Sequence, residues 1–269
     1  MGRGAPSVRV IDMHTHIFPE RGARRIAAAV AERYGLVEEP PFEGTAHELS
    51  WAMEKAGVDY ALVCFAAATP YQVRHINRFI REESLRRPEC IPCGTLHAAF
   101  RGWREELAWM RENGIYGVKL HGELQGFALD DERLFPMFRE MEGHDMFLLA
   151  HMGDPGQLLA IAEVFPNLRC IAAHLGCWGD WDVEKIRLLT KLPNVYTDIS
   201  STFSCGGDAS ALMEILGEFD PGRIFFGSDY PLFSPERELE RLGNLGLSEG
   251  VLEDICFNNF SRFYHYQKL

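Results

Sequence analysis

The sequence predicts a (β/α)8 barrel, and three observations carry that prediction. Eight short apolar runs alternate with amphipathic stretches along all 269 residues. The runs read as near-continuous hydrophobic segments, the pattern of parallel strands buried on both faces. Eight strand–helix units in about 250 residues is also the ordinary size of this barrel. The other architecture compatible with the alternation, the doubly wound open sheet, loses support because no GxGxxG follows the first strand.

The strand-like runs, in order, are VRVIDMHTH, DYALVCFAA, CIPCGTLHA, YGVKLHG, MFLLAHMG, LRCIAAHLG, NVYTDIS and RIFFGSDYP. Most are bounded by Gly, Pro, Asn or Asp and are rich in β-formers or short aliphatics. Helical periodicity fills the gaps: 48–57, 71–87, 103–113, 131–143, 156–165, 182–192, 209–218 and 235–242. A last stretch over 248–256 leads into NNFSRFY. The first gap is long, holding Phe18 to Thr45 with Pro40-Pro41, and is read as an insertion after strand 1 that covers an active site. No internal repeat, low-complexity segment or domain boundary interrupts residues 1–269, so a single barrel domain is expected.

Composition narrows the function. With 46% hydrophobic and 25% charged residues, the chain reads as a globular protein with a sizeable core. A formal net charge of −12 argues against nucleic acid. No apolar run reaches the length of a membrane span, and Met1 to Val10 carries no apolar leader. A cytoplasmic location is therefore expected. The expected partners are a small-molecule substrate and, at most, a second copy of the chain in a homodimer. Seven cysteines, mostly inside apolar runs, read as buried free thiols, and the lone CxxC of Cys90 and Cys93 has no second pair to make a zinc site.

Barrel active sites lie at the C-terminal ends of strands. Those ends carry His14 and His16, Lys119 and His121, His151, His174, Asp198 and Asp229. His14 and His16, two residues apart on one strand, project together. His97 ends the third strand and is ambiguous, whereas His47, His75, His144 and His265 sit in helical or loop contexts. A single strand-end histidine is most simply a core residue. Five on one rim, with a carboxylate, outline a nitrogen–oxygen metal site suited to zinc or another late first-row divalent ion.

These segments also carry a resemblance. DMHTH at 12–16, GVKLHG at 117–122, LLAHMG at 148–153, FPNLRCIAAHLG at 165–176, LPNVYTDIS at 192–200 and FGSDYP at 226–231 resemble the amidohydrolase superfamily, metal-dependent barrel enzymes. The closest branch is the amidohydrolase-related group, which includes the aminocarboxymuconate-semialdehyde decarboxylase type. The resemblance implies one divalent ion, zinc by its ligand chemistry, held by His14, His16, His151 and Asp229. Asp229 and His174 would be catalytic, Asp229 taking a proton from water activated by the ion and His174 steering or protonating the oxygen that turns negative. Asp12, sharing the parity of the histidines, is expected to point inward one layer deeper and to support them. Lys119, His121 and Trp178 are the candidate substrate-binding residues, Lys119 as the cation for an anionic substrate. The alternative for Lys119 is a carbamate bridging two ions, with His174 a ligand of the second.

Hydrolysis of an amide, ester or lactone is the leading activity, as the commoner use of such a site. Decarboxylation, a carbon–carbon lyase reaction, is the alternative, because HTHIFPE and FGSDYP resemble that branch strongly. A metal-binding barrel without catalysis is the third reading, and a further histidine beside the ligands argues against it.

Overall fold

The computed structural model describes residues 8–36, 38, 40–176, 183–202 and 209–264. Its strands are β1 (Ile11–His16), β2 (Tyr60–Cys64), β3 (Cys90–Thr95), β4 (Gly117–His121), β5 (Phe147–His151), β6 (Arg169–Ala172), β7 (Val195–Asp198) and β8 (Ile224–Phe225). All adjacent pairs are parallel and the spatial order is β1 to β8 without a crossover. After β8 the chain continues parallel to β1, with Met13 N donating to Phe226 O at 3.0 Å, Asp229 N to His14 O at 2.9 Å and His16 N to Tyr230 O at 2.7 Å. The fold is the predicted (β/α)8 barrel. No helix among the described residues is long and apolar enough to cross a membrane.

Two apolar layers hold it. One fills the barrel: Ile11, Met13, Leu62, Leu149, Ile171 and Phe225 point inward, and Phe260, Phe263 and Tyr264 pack against the same cluster. The closing segment NNFSRFY is therefore structural. It continues the last helical stretch, and Phe263 meets the rings of Phe225 and Tyr196 edge-on at 5.3 and 4.7 Å. The other layer lies between strands and outer helices, where Val63, Val118, Leu148 and Ala172 face helical residues such as Leu107, Met141 and Leu158.

Cys90 joins this outer layer and Cys93 the inner one, so the two thiols of the CxxC lie on opposite faces of β3. Burial pushes both upward, Cys90 to about 12. Neither a shared ion nor ready redox chemistry suits that placement.

The insertion after β1 holds α1 (Ala23–Arg33), a helix absent from the sequence reading, and leads into α2 (Ala46–Ala56). Ala23, Ala27 and Ala31 recur every four residues and are buried. Their small side chains let the helix lie close over Phe18 and Phe65 at the mouth of the barrel. Ile26, Val30 and Tyr34, in the same spacing on the next face, line the cavity beneath it. The insertion covers the mouth, as expected.

Strand parity departs from expectation at Asp12. It pairs with Ala61 of the outer layer, whereas His16 pairs with Cys64 of the inner one, and the register shifts between Asp12 and Thr15. That bulge sets Asp12 on the face opposite the histidines. Its Oδ1 accepts from His14 N at 3.3 Å and from Ser228 N at 2.9 Å. It supports the site through the backbone, tying β1 to the segment after β8.

Candidate active site

The inner residues of β4 and β5 run in register, Lys119 beside Leu149 and His121 beside His151. Neighbouring parallel strands lie about 4.8 Å apart. The rings of His121 and His151 consequently stack, with centroids at 3.8 Å. His14 and His16 follow the bulge in β1, with ring centroids 5.1 Å apart.

Three further site residues sit in the left-handed region: His174 at φ 56°, Ser201 at φ 56° and Asp229 at φ 62°. A non-glycine residue there costs about 1–2 kcal/mol, and such strain gathers at functional sites. The glycine of FGSDYP has a packing role. A Cβ on Gly227 would stand 2.9 Å from the Cβ of His14 and 3.0 Å from that of Ser200. Only a residue without a side chain lets this turn approach β1 so closely.

Hydrogen bonds fix how each ring is presented. His14 Nδ1 lies 3.0 Å from Asp198 Oδ2, which can only accept, so Nδ1 carries the proton and Nε2 the lone pair. Lys119 Nζ meets that Nε2 at 3.0 Å. Burial first, and Lys119 second, lower His14 to about 3, so it is neutral. His174 Nδ1 donates to Ser200 O at 3.0 Å, leaving its Nε2 to accept from His151 Nδ1 at 3.1 Å. His151 therefore presents its Nε2 lone pair to the cavity. Burial holds His151, His121 and His174 below the usual histidine range.

Asp229 Oδ1 lies 3.2 Å from His16 Nε2 and 3.9 Å from His14 Nε2. Burial works to raise Asp229, but His16 and the neighbouring imidazoles prevail and bring it to about 2. His16 shows the reciprocal effect: burial lowers it, while Cys64 and Asp229 raise it to about 9. Cys64 Sγ lies 3.3 Å from His16 Nδ1.

The donor atoms of His14, His16 and Asp229 lie within 4.8 Å of one another. Two ligands about 2.1 Å from one tetrahedral ion stand roughly 3.4 Å apart, and the measured 3.2 and 3.9 Å straddle that value. The residues present fit a divalent cation that takes the place of Lys119 Nζ at His14 Nε2. His151 falls in a neighbouring group with His121 and Glu123. His121 Nδ1 accepts from Leu124 N, so its Nε2 carries the proton and that group is a hydrogen-bonded cluster.

A cavity of about 570 Å³ opens above these groups, and His16, His121, His151, His174 and Asp229 all reach it. Phe18, Phe65 and Leu232 give it apolar walls, and Arg25 and Arg33 of α1 are its cations. Lys119 is fully buried, is not among the lining residues and bonds His14, a placement that does not suit the expected contact with substrate. Arg25, in the first turn of α1, lines the cavity in its stead. Trp178 lies outside the described residues. Tyr34, Asp198 as the partner of His14, Ser200 and Cys64 escape the sequence reading of the site.

The amidohydrolase family model matches residues 11–265. The chain belongs to the amidohydrolase family. Solved structures share this amidohydrolase's fold at low identity. A TIM-barrel protein of Bordetella bronchiseptica matches with TM-score 0.77 and 20% identity, over 96% of this chain and 98% of that one. A dihydroxybenzoic acid decarboxylase from Polaromonas sp., with bound manganese and the inhibitor 2-nitroresorcinol, matches with TM-score 0.73 and 14% identity over 97% and 98%. An amidohydrolase from Burkholderia multivorans with bound zinc matches with TM-score 0.73 and 18% identity over 96% and 99%. No curated protein matches the chain.

Proposed function

We propose that this amidohydrolase is a metal-dependent hydrolase that adds water to the ester, lactone or amide carbon of a small anionic substrate. The observation that carries the reading is the coincidence of a two-imidazole, one-carboxylate donor set with the floor of a covered cavity. His14, His16 and Asp229 would hold one divalent cation, with the Nε2 lone pair of His151 completing the set. Zinc suits these ligands, and the manganese and zinc of the two structural neighbours support a divalent ion. Such an ion supplies Lewis acidity and brings the pKa of coordinated water towards ~7.

The chain's own groups supply the rest. Asp229 reaches the cavity as an ionised carboxylate and accepts the proton of the attacking water. It returns that proton to the leaving oxygen or nitrogen when the acyl bond breaks. His174 lines the same floor, its ring fixed by Ser200 and His151. Arg25 and Arg33 suit a carboxylate at the far end of the substrate.

Decarboxylation of an aromatic acid is the second reading, favoured by the Phe18 and Phe65 walls, since an apolar slot disfavours the localised carboxylate charge relative to the charge spread over the ring as carbon dioxide leaves and the ring carbon takes up a proton. Protein loaded with zinc or manganese separates the two on dihydrocoumarin, p-nitrophenyl acetate and hydroxybenzoates. Hydrolysis without carbon dioxide release is the expected result, and carbon dioxide release alone would overturn it.

Cation binding should depend on pH with a definite sign. The proton shared by His16 and Asp229 occupies the place of the ion, and His16 holds it up to about 9. Binding must expel it, so apparent affinity should rise about tenfold per pH unit from 6 towards 9 and then level. Calorimetry in buffers of different ionisation enthalpy should count about one proton released at pH 7.5.

A further inference from the structure

We propose that Tyr34, delivered by the cover helix, is a catalytic residue: its phenol donates a hydrogen bond to the substrate oxygen that turns negative when water adds to the acyl carbon. The assignment rests on the hydrolytic reading above.

His121 sets the direction of the bond to Tyr34. Its Nδ1 accepts from Leu124 N at 3.4 Å, and its own backbone N–H donates to Gln125 Oε1 at 2.8 Å, which fixes the residue at the end of β4. With Nδ1 accepting, the ring proton sits on Nε2. That Nε2 lies 2.7 Å from the Tyr34 hydroxyl, so His121 donates and the phenol oxygen accepts. The phenol's own proton therefore acts as a donor. Two acceptors near it, His151 Nε2 and Glu123 Oε2, stand at 3.4 and 3.5 Å, the long edge of hydrogen bonding. A substrate oxygen at ordinary distance would accept it better.

Location and strength agree with this. Tyr34 lines the cavity together with His16, His151 and Asp229, so its hydroxyl stands over the floor where the reacting carbonyl must lie. A phenol that accepts a bond from His121 is a stronger donor, because successive hydrogen bonds polarise one another. As charge grows on the substrate oxygen both bonds shorten together, which favours the transition state over the ground state. In the first half of the step a C–O bond forms from water to the acyl carbon. The carbonyl π pair moves onto oxygen, where Tyr34 O–H meets it, and the water's proton goes to Asp229. In the second half the C=O bond re-forms, the bond to the leaving group breaks, and Asp229 returns the proton to it.

The test compares zinc-loaded wild type with Tyr34→Phe, using p-nitrophenyl acetate for turnover. Methylphosphonate serves as a tetrahedral anion and acetate as a planar one. The expected result is kcat lower by about 10²-fold with KM within about threefold. Methylphosphonate affinity should fall by a similar factor, with acetate affinity, zinc content and unfolding temperature nearly unchanged. Equal losses for acetate and methylphosphonate, or unchanged kcat, would overturn the assignment. So would loss of zinc or a large drop in unfolding temperature, which would make Tyr34 a tether for the helix. Wild type that does not bind methylphosphonate would overturn it as well. If wild type binds methylphosphonate through Tyr34 yet hydrolyses no ester, the hydrolytic reading fails while the oxyanion contact of Tyr34 stands.

Discussion

Asp229→Ala should purify with its divalent metal lost and its turnover reduced by about 10³-fold or more. Two effects combine in that number. The side chain is the only carboxylate in the donor group with His14 and His16, so its removal leaves two neutral imidazoles with no negative charge to balance a divalent ion. It is also the group that takes the proton from water. Asp229→Asn separates the two effects, since the amide keeps an oxygen for coordination but no longer accepts a proton. The expected order of metal content is wild type, then Asn, then Ala, with turnover very low in both variants. His14→Ala should resemble Asp229→Ala in metal content. Elemental analysis of protein purified without added metal, beside turnover at saturating zinc, decides the matter. An Asp229→Ala protein with full metal content would remove the residue from the ligand set.

The variant has a second signature. Asp229 at about 2 lies below the ordinary carboxylate value of 3.8, so its pairing stabilises the fold fully above pH ~4. That contribution is lost as pH falls from ~4 towards 2. Wild-type stability of the metal-free protein should therefore fall in this window by more than that of Asp229→Asn, as urea titrations at pH 5 and pH 3 would read.

Much of this architecture was legible in the chain because its signals are local. Apolar runs, most of them bounded by turn residues, mark all eight strands. Strand-end polar residues can be listed without coordinates, because in a parallel barrel every strand points its C-terminus at one rim. His14 and His16 were legible for the same reason, two residues apart on one strand. The length and prolines of the insertion mark it as a cover, but they do not reveal its helix or the side chains that helix brings to the cavity. The cue lay in the four-residue spacing of Ala23, Ala27 and Ala31 beside Ile26, Val30 and Tyr34, a periodicity that places two faces of one helix on the mouth. Lys119 illustrates the opposite difficulty. Its strand position is inward, as expected, but depth along the barrel axis decides whether an inward cation meets substrate or a ligand's ring. Sequence carries no measure of that depth. Asp12 was misplaced by a bulge, which shifts parity by one residue and leaves no mark in a six-residue strand.

Asp198→Ala should be the most destabilising change at the site, by about 3 kcal/mol or more, and should weaken cation binding about 10–100-fold although Asp198 itself is outside the ligand group. The carboxylate is fully buried and accepts from four donors: His14 Nδ1 at 3.0 Å, His174 N at 3.2 Å, Ser200 N at 3.0 Å and the Ser200 hydroxyl. Burial works to raise it, but His14, His174 and Ser200 hold it below the usual carboxylate range, so it stays ionised in the core. Truncation strands several donors in a dry interior, each worth about 1–3 kcal/mol when unpaired, and Ser200 can re-pair only part of them. The effect on the ion follows from the tautomer. Asp198 keeps the proton on Nδ1, so without it the His14 ring is free to turn or to place the proton on Nε2, where it would block coordination. Asp198→Asn should recover part of the stability, since its amide oxygen still accepts, but less of the affinity, because it brings no negative charge behind the imidazole. Urea unfolding of the metal-free protein and zinc titration of each variant measure the two effects separately. Asp198→Ala with wild-type zinc affinity would show that His14 is oriented by packing alone, with Lys119 and Ser200 sufficient to hold the ring.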